Sequence, residues 1–288
     1  MRVVLLSHSM TTTQAIITAI VEGLTEFLPV SSTAHMIFVN TAMGIQEDEF
    51  VKMFTVSIQF GAILAVVALY WKKFFNFKRL DFYIKLAAAV IPALVLGKLF
   101  DDAIEEVLEK PVPIAIVLIL GGIVLLFIDK IFPQPKPGEP TTLITDEKQM
   151  SIKKAVIVGF WQCLAMMPGT SRAAASIIGG MQQRLTRAAA AEFSFFLAVP
   201  TMLAVTVYSI FLKKWHVAGA EVKGYEMITA DSAHLTHFLL GNVVAFIVAA
   251  LAIRFFIGFL KKYGFQLWGW YRIVAGGVIL ALLMSGKL

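Results

Sequence analysis

The sequence predicts an all-α polytopic membrane protein, with six transmembrane helices plus two re-entrant helical hairpins in an inverted repeat. Three observations carry this. The 288 residues are 58% hydrophobic and 15% charged, where a soluble domain holds about 25% charged residues; mean hydropathy is +0.79. Six apolar runs are long enough to cross about 30 Å of hydrocarbon. Two further apolar stretches are broken by proline and crowded with hydroxyls and charges.

Taken in order, Thr11 to Gln14 has the spacing of a capping box and opens a first helix. The preceding MRVVLLSHSM has a short apolar run and no small-residue cleavage site, unlike a cleaved signal peptide. Ala15 to Val21 carry the helix to Glu22 and Glu26. Pro29 removes a donor and disfavours helix at Leu28, so the helix breaks there and resumes over about 32–43. Each piece is too short to span the bilayer, which predicts a re-entrant hairpin whose broken backbone the protein buries. Spans follow at roughly 51–71, 83–100 and 112–130. The polar, proline-containing stretch 132–150 reads as a loop. A second broken region covers about 152–182, with a helix restarting near Ala173, and the last spans lie at roughly 189–212, 236–260 and 267–286.

Charge sets the orientation. Lys72, Lys73, Lys78 and Arg79, then Lys148, Lys153 and Lys154, then Arg184 and Arg187, then Lys261 and Lys262 all fall on one side of a six-span chain. The acidic stretch 101–109 and the mixed loop from Lys213 to Asp231 fall on the other. The positive-inside rule places the basic loops in the cytoplasm and both termini outside, so the first break opens outward and the second inward. The net charge of +6 is explained by these loops without nucleic acid. One membrane domain, 1–288, is expected, with halves of about 11–131 and 151–288 joined by a cytoplasmic loop, 132–150. A repeat supports the halves: Gly23 to Leu28 parallels Gly159 to Leu164, and Pro29-Val30-Ser31-Ser32 parallels Pro168-Gly169-Thr170-Ser171. Three spans per half make the halves inverted, a transporter-like plan. The single Cys163 excludes an intrachain disulfide and a zinc–cysteine site.

The two breaks hold the chemistry. Ionisable groups at membrane depth cost a few kcal/mol each and mark function by default. Glu22 and Glu26, four apart, share a helix face, and two such carboxylates need a cation, a cationic side chain or a proton between them. A divalent cation, Mg2+ or Ca2+, suits their oxygens. Arg172 offers a planar fork to phosphate oxygens. Gly169, Thr170 and Ser171 precede a helix start, where backbone N–H groups favour an anion. Ser31 and Thr33 add hydroxyls. Either Ser32 or Thr33 attacks phosphorus, or His35 activates a water. The structural alternative pairs both acids with Arg172 as an ion cluster. Gln59 reads as a supporting partner or interhelical contact, Glu192 as interfacial, and His8, His216, His234 and His237 as solvated; Gly121-Gly122 and Gly276-Gly277 mark close helix packing.

EGLTEFLPVSSTAH (Glu22 to His35) and PGTSRAAAS (Pro168 to Ser176) resemble the two signature motifs of the bacterial undecaprenyl-diphosphate phosphatase family, the bacitracin-resistance type. Ile58 to Gly61 and Glu192 to Phe195 also look like family segments. The resemblance implies a plasma-membrane enzyme that hydrolyses undecaprenyl diphosphate to the monophosphate and inorganic phosphate on the extracytoplasmic side, recycling the carrier of cell-wall synthesis. It implies metal dependence at Glu22 and Glu26, a nucleophile at Ser32, a catalytic histidine at His35 and phosphate binding at Arg172, with Ser31, Thr33 and Ser171 at polar motif positions. Two departures stand out: Ala34 replaces the usual glycine before the histidine, and Ala173-Ala174-Ala175-Ser176 replaces Ser-Gly-Ala-Thr. The expected partners are a polyprenyl diphosphate lipid and the bilayer; a homodimer is compatible with both. The alternative is a lipid-phosphate transporter or flippase using the same broken-helix anion site.

Overall fold

A computed structural model describes residues 10–108, 110–135 and 139–286. His8, most of the N-terminal segment read above and Glu109 lie outside the described residues. In chain order the elements are α1 (Thr12–Thr25), α2 (Ser32–Ala42), α3 (Glu49–Ser57), α4 (Gln59–Leu69), α5 (Trp71–Phe74), α6 (Leu80–Leu99), α7 (Asp101–Leu108) and α8 (Pro111–Ile131). Then come α9 (Ile152–Cys163), α10 (Arg172–Gln182), α11 (Arg187–Val207), β1 (Lys214–Val217), β2 (Ala220–Lys223), α12 (Gly224–Ile228), α13 (Ser232–Tyr263) and α14 (Gln266–Met284).

Among the described residues, six helical segments are long and apolar enough to cross a membrane: Glu49–Leu69, Leu80–Leu99, Pro111–Ile131, Arg187–Leu212, Ser232–Tyr263 and Gln266–Met284. They correspond one for one to the six spans expected from sequence. Ile116, Leu120, Ile123 and Phe127 of α8 stand exposed on one face, a row that needs lipid rather than water.

Both interrupted segments form helix–turn–helix pairs. Thr11 and Gln14 make the expected capping box, the glutamine side chain accepting from the Thr11 N–H at 2.8 Å. Ser151 caps α9 through its side chain alone, which accepts from the Lys154 N–H. The returning helices α2 and α10 each begin after a serine in the left-handed region, Ser31 at φ 70° and Ser171 at φ 74°. Non-glycine residues seldom adopt this conformation. The caps pair Ser31 with Ser171, and hence Ser32 with Arg172, one residue away from the pairing read off the two prolines. The turn is longer after Pro168 than after Pro29, so the prolines are not in equivalent places.

The broken segments dock on helices distant in sequence: α1 lies along α13, and α9 along α6. α8 packs on α14, and α4 contacts both α11 and α13. Contact at α9 is close: a Cβ on Gly159 would stand 2.2 Å from the Ala89 carbonyl oxygen. Of the glycine pairs expected to pack tightly, Gly121, Gly122 and Gly276 do, whereas Gly277 faces open space.

The loop 132–150 is more than a tether. Glu147, 2% exposed, pairs with Lys73 at 2.8 Å and Arg79 at 2.9 Å. Lys85 donates to the carbonyls of Glu147 and Lys148. Ile144 exchanges backbone bonds with Arg184 and Thr186. Glu192 joins this cluster through Lys73 at 3.7 Å. On the other side, β1 and β2 form a hairpin absent from the sequence expectation, turned by Ala218 and Gly219 at positive φ. His216 on it is exposed, as expected. His234 and His237 are not solvated: α13 begins at Ser232, earlier than the span read from hydropathy, and turns both inward. His234 stacks on Phe50 at 3.9 Å, and buried His237 bonds Thr12 at 3.1 Å.

Gly159→Val should force α9 from α6 and destabilise the protein by about 1–3 kcal/mol. A thermal unfolding scan in detergent measures it; an unchanged midpoint would contradict the close packing.

Candidate active site

The site is assembled around Arg272 of α14, which has no solvent exposure. Its Nη1 donates to the carbonyls of Pro29 (3.0 Å) and Thr170 (2.9 Å), and its Nη2 to that of Gly169 (2.8 Å). Its Nε donates to the Leu118 carbonyl of α8 at 3.1 Å. One guanidinium thus ties both turns to α8. Only a glycine at 121 leaves room, since a Cβ there would lie 2.1 Å from Nη2. Gly169, at φ 94°, turns its carbonyl to this fork with the backbone hard against α8.

Held this way, the two turns bring their polar residues together. Glu26, 7% exposed, accepts from the Ser32 hydroxyl at 2.5 Å through Oε2, and from Arg172 Nη2 at 2.9 Å through Oε1. Arg172 Nη1 donates to the Ser194 carbonyl at 2.9 Å. Its guanidinium lies 5.6 Å from the Phe27 ring centre, a cation–π contact. Ser176, the hydroxyl retained after the altered motif, lies 2.6 Å from the Ser194 hydroxyl and donates to the Arg172 carbonyl at 2.8 Å. It therefore steadies the arginine from its own helix.

Two buried groups stay unmatched. Arg172 Nε has no hydrogen-bond partner, and neither does either carboxylate oxygen of Glu22, which is wholly buried one turn before Glu26. Buried polar atoms without partners are costly and uncommon. A donor and an oxygen pair left open in one place suit a phosphate and a hard cation respectively. Among the described residues no three or more His, Cys, Asp and Glu gather as a metal cluster.

The remaining residues singled out from sequence serve the turns. Ser171 caps α10 by accepting from Ala174 N–H and donates to the Leu28 carbonyl across the two breaks. The carbonyls of Gly169 and Thr170 are taken by Arg272. The Ser31 carbonyl lies 2.8 Å from His35 Nδ1, and Tyr271 OH lies 2.7 Å from His35 Nε2. Neither His35 nitrogen is bonded to Ser32. Thr33 is partly exposed, one residue into α2. Gln59 opens α4 beyond a one-residue interruption at Ile58, where the sequence reads a single unbroken span. Beside the first break lies an apolar cavity of about 410 Å³, lined by Leu24, Leu28, Leu251, Phe255, Trp268 and Tyr271.

Sequence reasoning passed over Arg272 and Tyr271, and included Ser194 only within the segment Glu192 to Phe195, without a role. The rule that singled out Arg172, a cation inside an apolar run, applies equally to Arg272. Nothing local marks Tyr271; its role comes from a contact more than 200 positions away, and that of Ser194 from a contact across helices.

Fold and site define a multi-pass membrane protein that joins a hydroxyl, a carboxylate and a guanidinium where two interrupted helices meet. The family description Bacitracin resistance protein BacA matches residues 15–278. Curated relatives named undecaprenyl-diphosphatase include one from Flavobacterium psychrophilum, 52% identical over 93% of this chain and 95% of its own. Another, from Flavobacterium johnsoniae, is 50% identical over 95% and 96%, and one from Porphyromonas gingivalis 48% over 96% and 98%. The chain belongs to the bacitracin resistance protein BacA family.

Arg272→Met would leave four carbonyls without their donor and should destabilise the protein by about 3 kcal/mol or more. Arg272→Lys, a single ammonium, cannot span both turns and α8; it should fold better than the methionine variant yet keep little activity. Thermal midpoints and activity of the two variants together check this.

Proposed function

We propose that the protein is an integral-membrane phosphatase that hydrolyses undecaprenyl diphosphate to undecaprenyl phosphate and inorganic phosphate, returning the lipid carrier to peptidoglycan synthesis. The observation that carries the mechanism is the 2.5 Å contact between Ser32 and Glu26, with Arg172 on the second carboxylate oxygen. Glu26 takes the Ser32 proton as the hydroxyl attacks the terminal phosphorus. The bond to the bridging oxygen breaks, and undecaprenyl phosphate leaves. Arg172 neutralises the charge on the phosphoryl oxygens, its open Nε supplying a further donor. Water then attacks the phosphoserine, inorganic phosphate departs, and Glu26 returns the proton to Ser32. His35, one helical turn from Ser32, accepts the proton of that water. Ser31, Thr33, Thr170, Ser171 and Gly169 shape the rim against which the diphosphate rests.

Glu22 and Glu26 are the residues that would hold a Mg2+ or Ca2+ ion, which when bound supplies charge neutralisation at the phosphate. The orphaned oxygens of Glu22 support this. The apolar cavity beside the first break supports a polyprenyl chain lying between helices with its headgroup at the turns.

The interrupted segments are read as re-entrant hairpins of an inverted repeat. The reciprocal docking of α1 on α13 and α9 on α6, with a serine at positive φ before each returning helix, supports this. With the basic loops in the cytoplasm of a bacterial plasma membrane, the first hairpin opens to the extracytoplasmic side.

Purified protein in detergent, given a C55 polyprenyl diphosphate with Mg2+ or Ca2+, should release phosphate, and chelator should stop it. Ser32→Ala and Glu26→Gln should each lose about a thousandfold or more. Lipid binding without phosphate release in any condition would turn the function to transport. Substantial activity in Ser32→Ala would replace the serine step by direct attack of water. For orientation, Lys148→Cys and Ala220→Cys in a Cys163→Ser background should label oppositely in intact cells, only the second from outside.

A further inference from the structure

His35 has no free nitrogen. The Ser31 carbonyl 2.8 Å from Nδ1 can only accept, so Nδ1 carries the proton. In the neutral ring Nε2 is then the basic nitrogen, and the Tyr271 hydroxyl at 2.7 Å donates to it. The two rings lie nearly parallel, at 8° with centroids 5.6 Å apart. Tyr271 precedes Arg272, so the clamp on the two turns also fixes this tyrosine. Tyr271 is 44% exposed and lines the apolar cavity beside the first break. With Nδ1 turned to the Ser31 carbonyl, the basic nitrogen of His35 is reached through the tyrosine hydroxyl bonded to it.

We propose that Tyr271 relays the proton between the hydrolytic water and His35. As water attacks the phosphoserine, its proton passes to the tyrosine oxygen while the tyrosine proton passes to Nε2. The hydroxyl is neutral before and after, and the imidazolium carries the charge until it returns the proton to solvent by the same path. A hydroxyl that both donates and accepts keeps its bond to His35 in either state. This rests on the proposed phosphoserine route and on His35 as acceptor.

The test uses full-length protein in detergent and polyprenyl diphosphate labelled on the terminal phosphorus. Tyr271→Phe keeps the ring and removes only the relay. It should release the first equivalent of polyprenyl phosphate at the normal rate, then fall about a hundredfold in steady state, with label retained on the protein, KM falling along with kcat, and kcat/KM little changed. His35→Ala should behave alike, and the double variant should be no slower than either. Three outcomes would overturn the relay: an unchanged steady-state rate, first and later turnovers slowed equally without trapped label, or a change in KM alone. Ser32→Ala run in parallel reads the underlying route separately. If it stays active, the phosphoserine is lost, and the relay then stands or falls on whether Tyr271→Phe and His35→Ala slow turnover equally and non-additively.

Discussion

Everything at the centre of this protein depends on one guanidinium whose hydrogen bonds go to peptide carbonyls. Arg272 is solvated entirely by peptide carbonyls, from the turn at Pro29, the turn at Gly169 and Thr170, and α8 at Leu118. An interrupted helix leaves carbonyls without partners, and at membrane depth water does not supply them. The arginine answers that need at both breaks at once. Because its donors form a rigid fork, satisfying the carbonyls also sets the distance between the turns. The meeting of Glu26 with Arg172 follows from that spacing.

The second arginine is used differently. Arg172 is matched on one edge by Glu26 and the Ser194 carbonyl and left open at Nε. The Ser32 hydroxyl shares the carboxylate from the other side. The arrangement is balanced in charge around Glu26 and unbalanced at Glu22, whose oxygens have no donor. Glu26 alone bonds the arginine directly, with Glu22 one turn behind it beside the same pair. Within the altered stretch Ala173 to Ser176, the remaining hydroxyl, Ser176, reaches back to the arginine carbonyl.

Much of this was legible in the sequence, for definite reasons. The spans announce themselves because hydrocarbon demands long apolar runs, and the breaks because Pro29 and Pro168 stand among acids and hydroxyls that lipid does not tolerate. Thr11 and Gln14 are read correctly because a capping box is local. What was illegible depends on the third dimension. Tyr271 looks like any interfacial tyrosine until His35 lies beside it. His234 and His237 look solvated because hydropathy places the start of α13 too late, beyond the polar turn that tucks them in. The register of the two breaks failed for a similar reason: prolines are conspicuous, but it is the serine at positive φ that starts the returning helix. The β-hairpin and the anchoring of Glu147 are surface arrangements whose short segments carry little periodic signal.

The groups of the site and those that position them are drawn from distant parts of the chain: Ser32 and Glu26 near the beginning, Arg172 and Ser194 past the middle, Arg272 near the end. A polypeptide emerging from the ribosome inserts its first hairpin long before α14 is made. Until then the two turns have no common donor. A nascent or truncated chain is therefore chemically silent. The last helix to enter the bilayer acts as the arming step, so that hydrolytic power appears only in a protein whose synthesis and insertion have been completed.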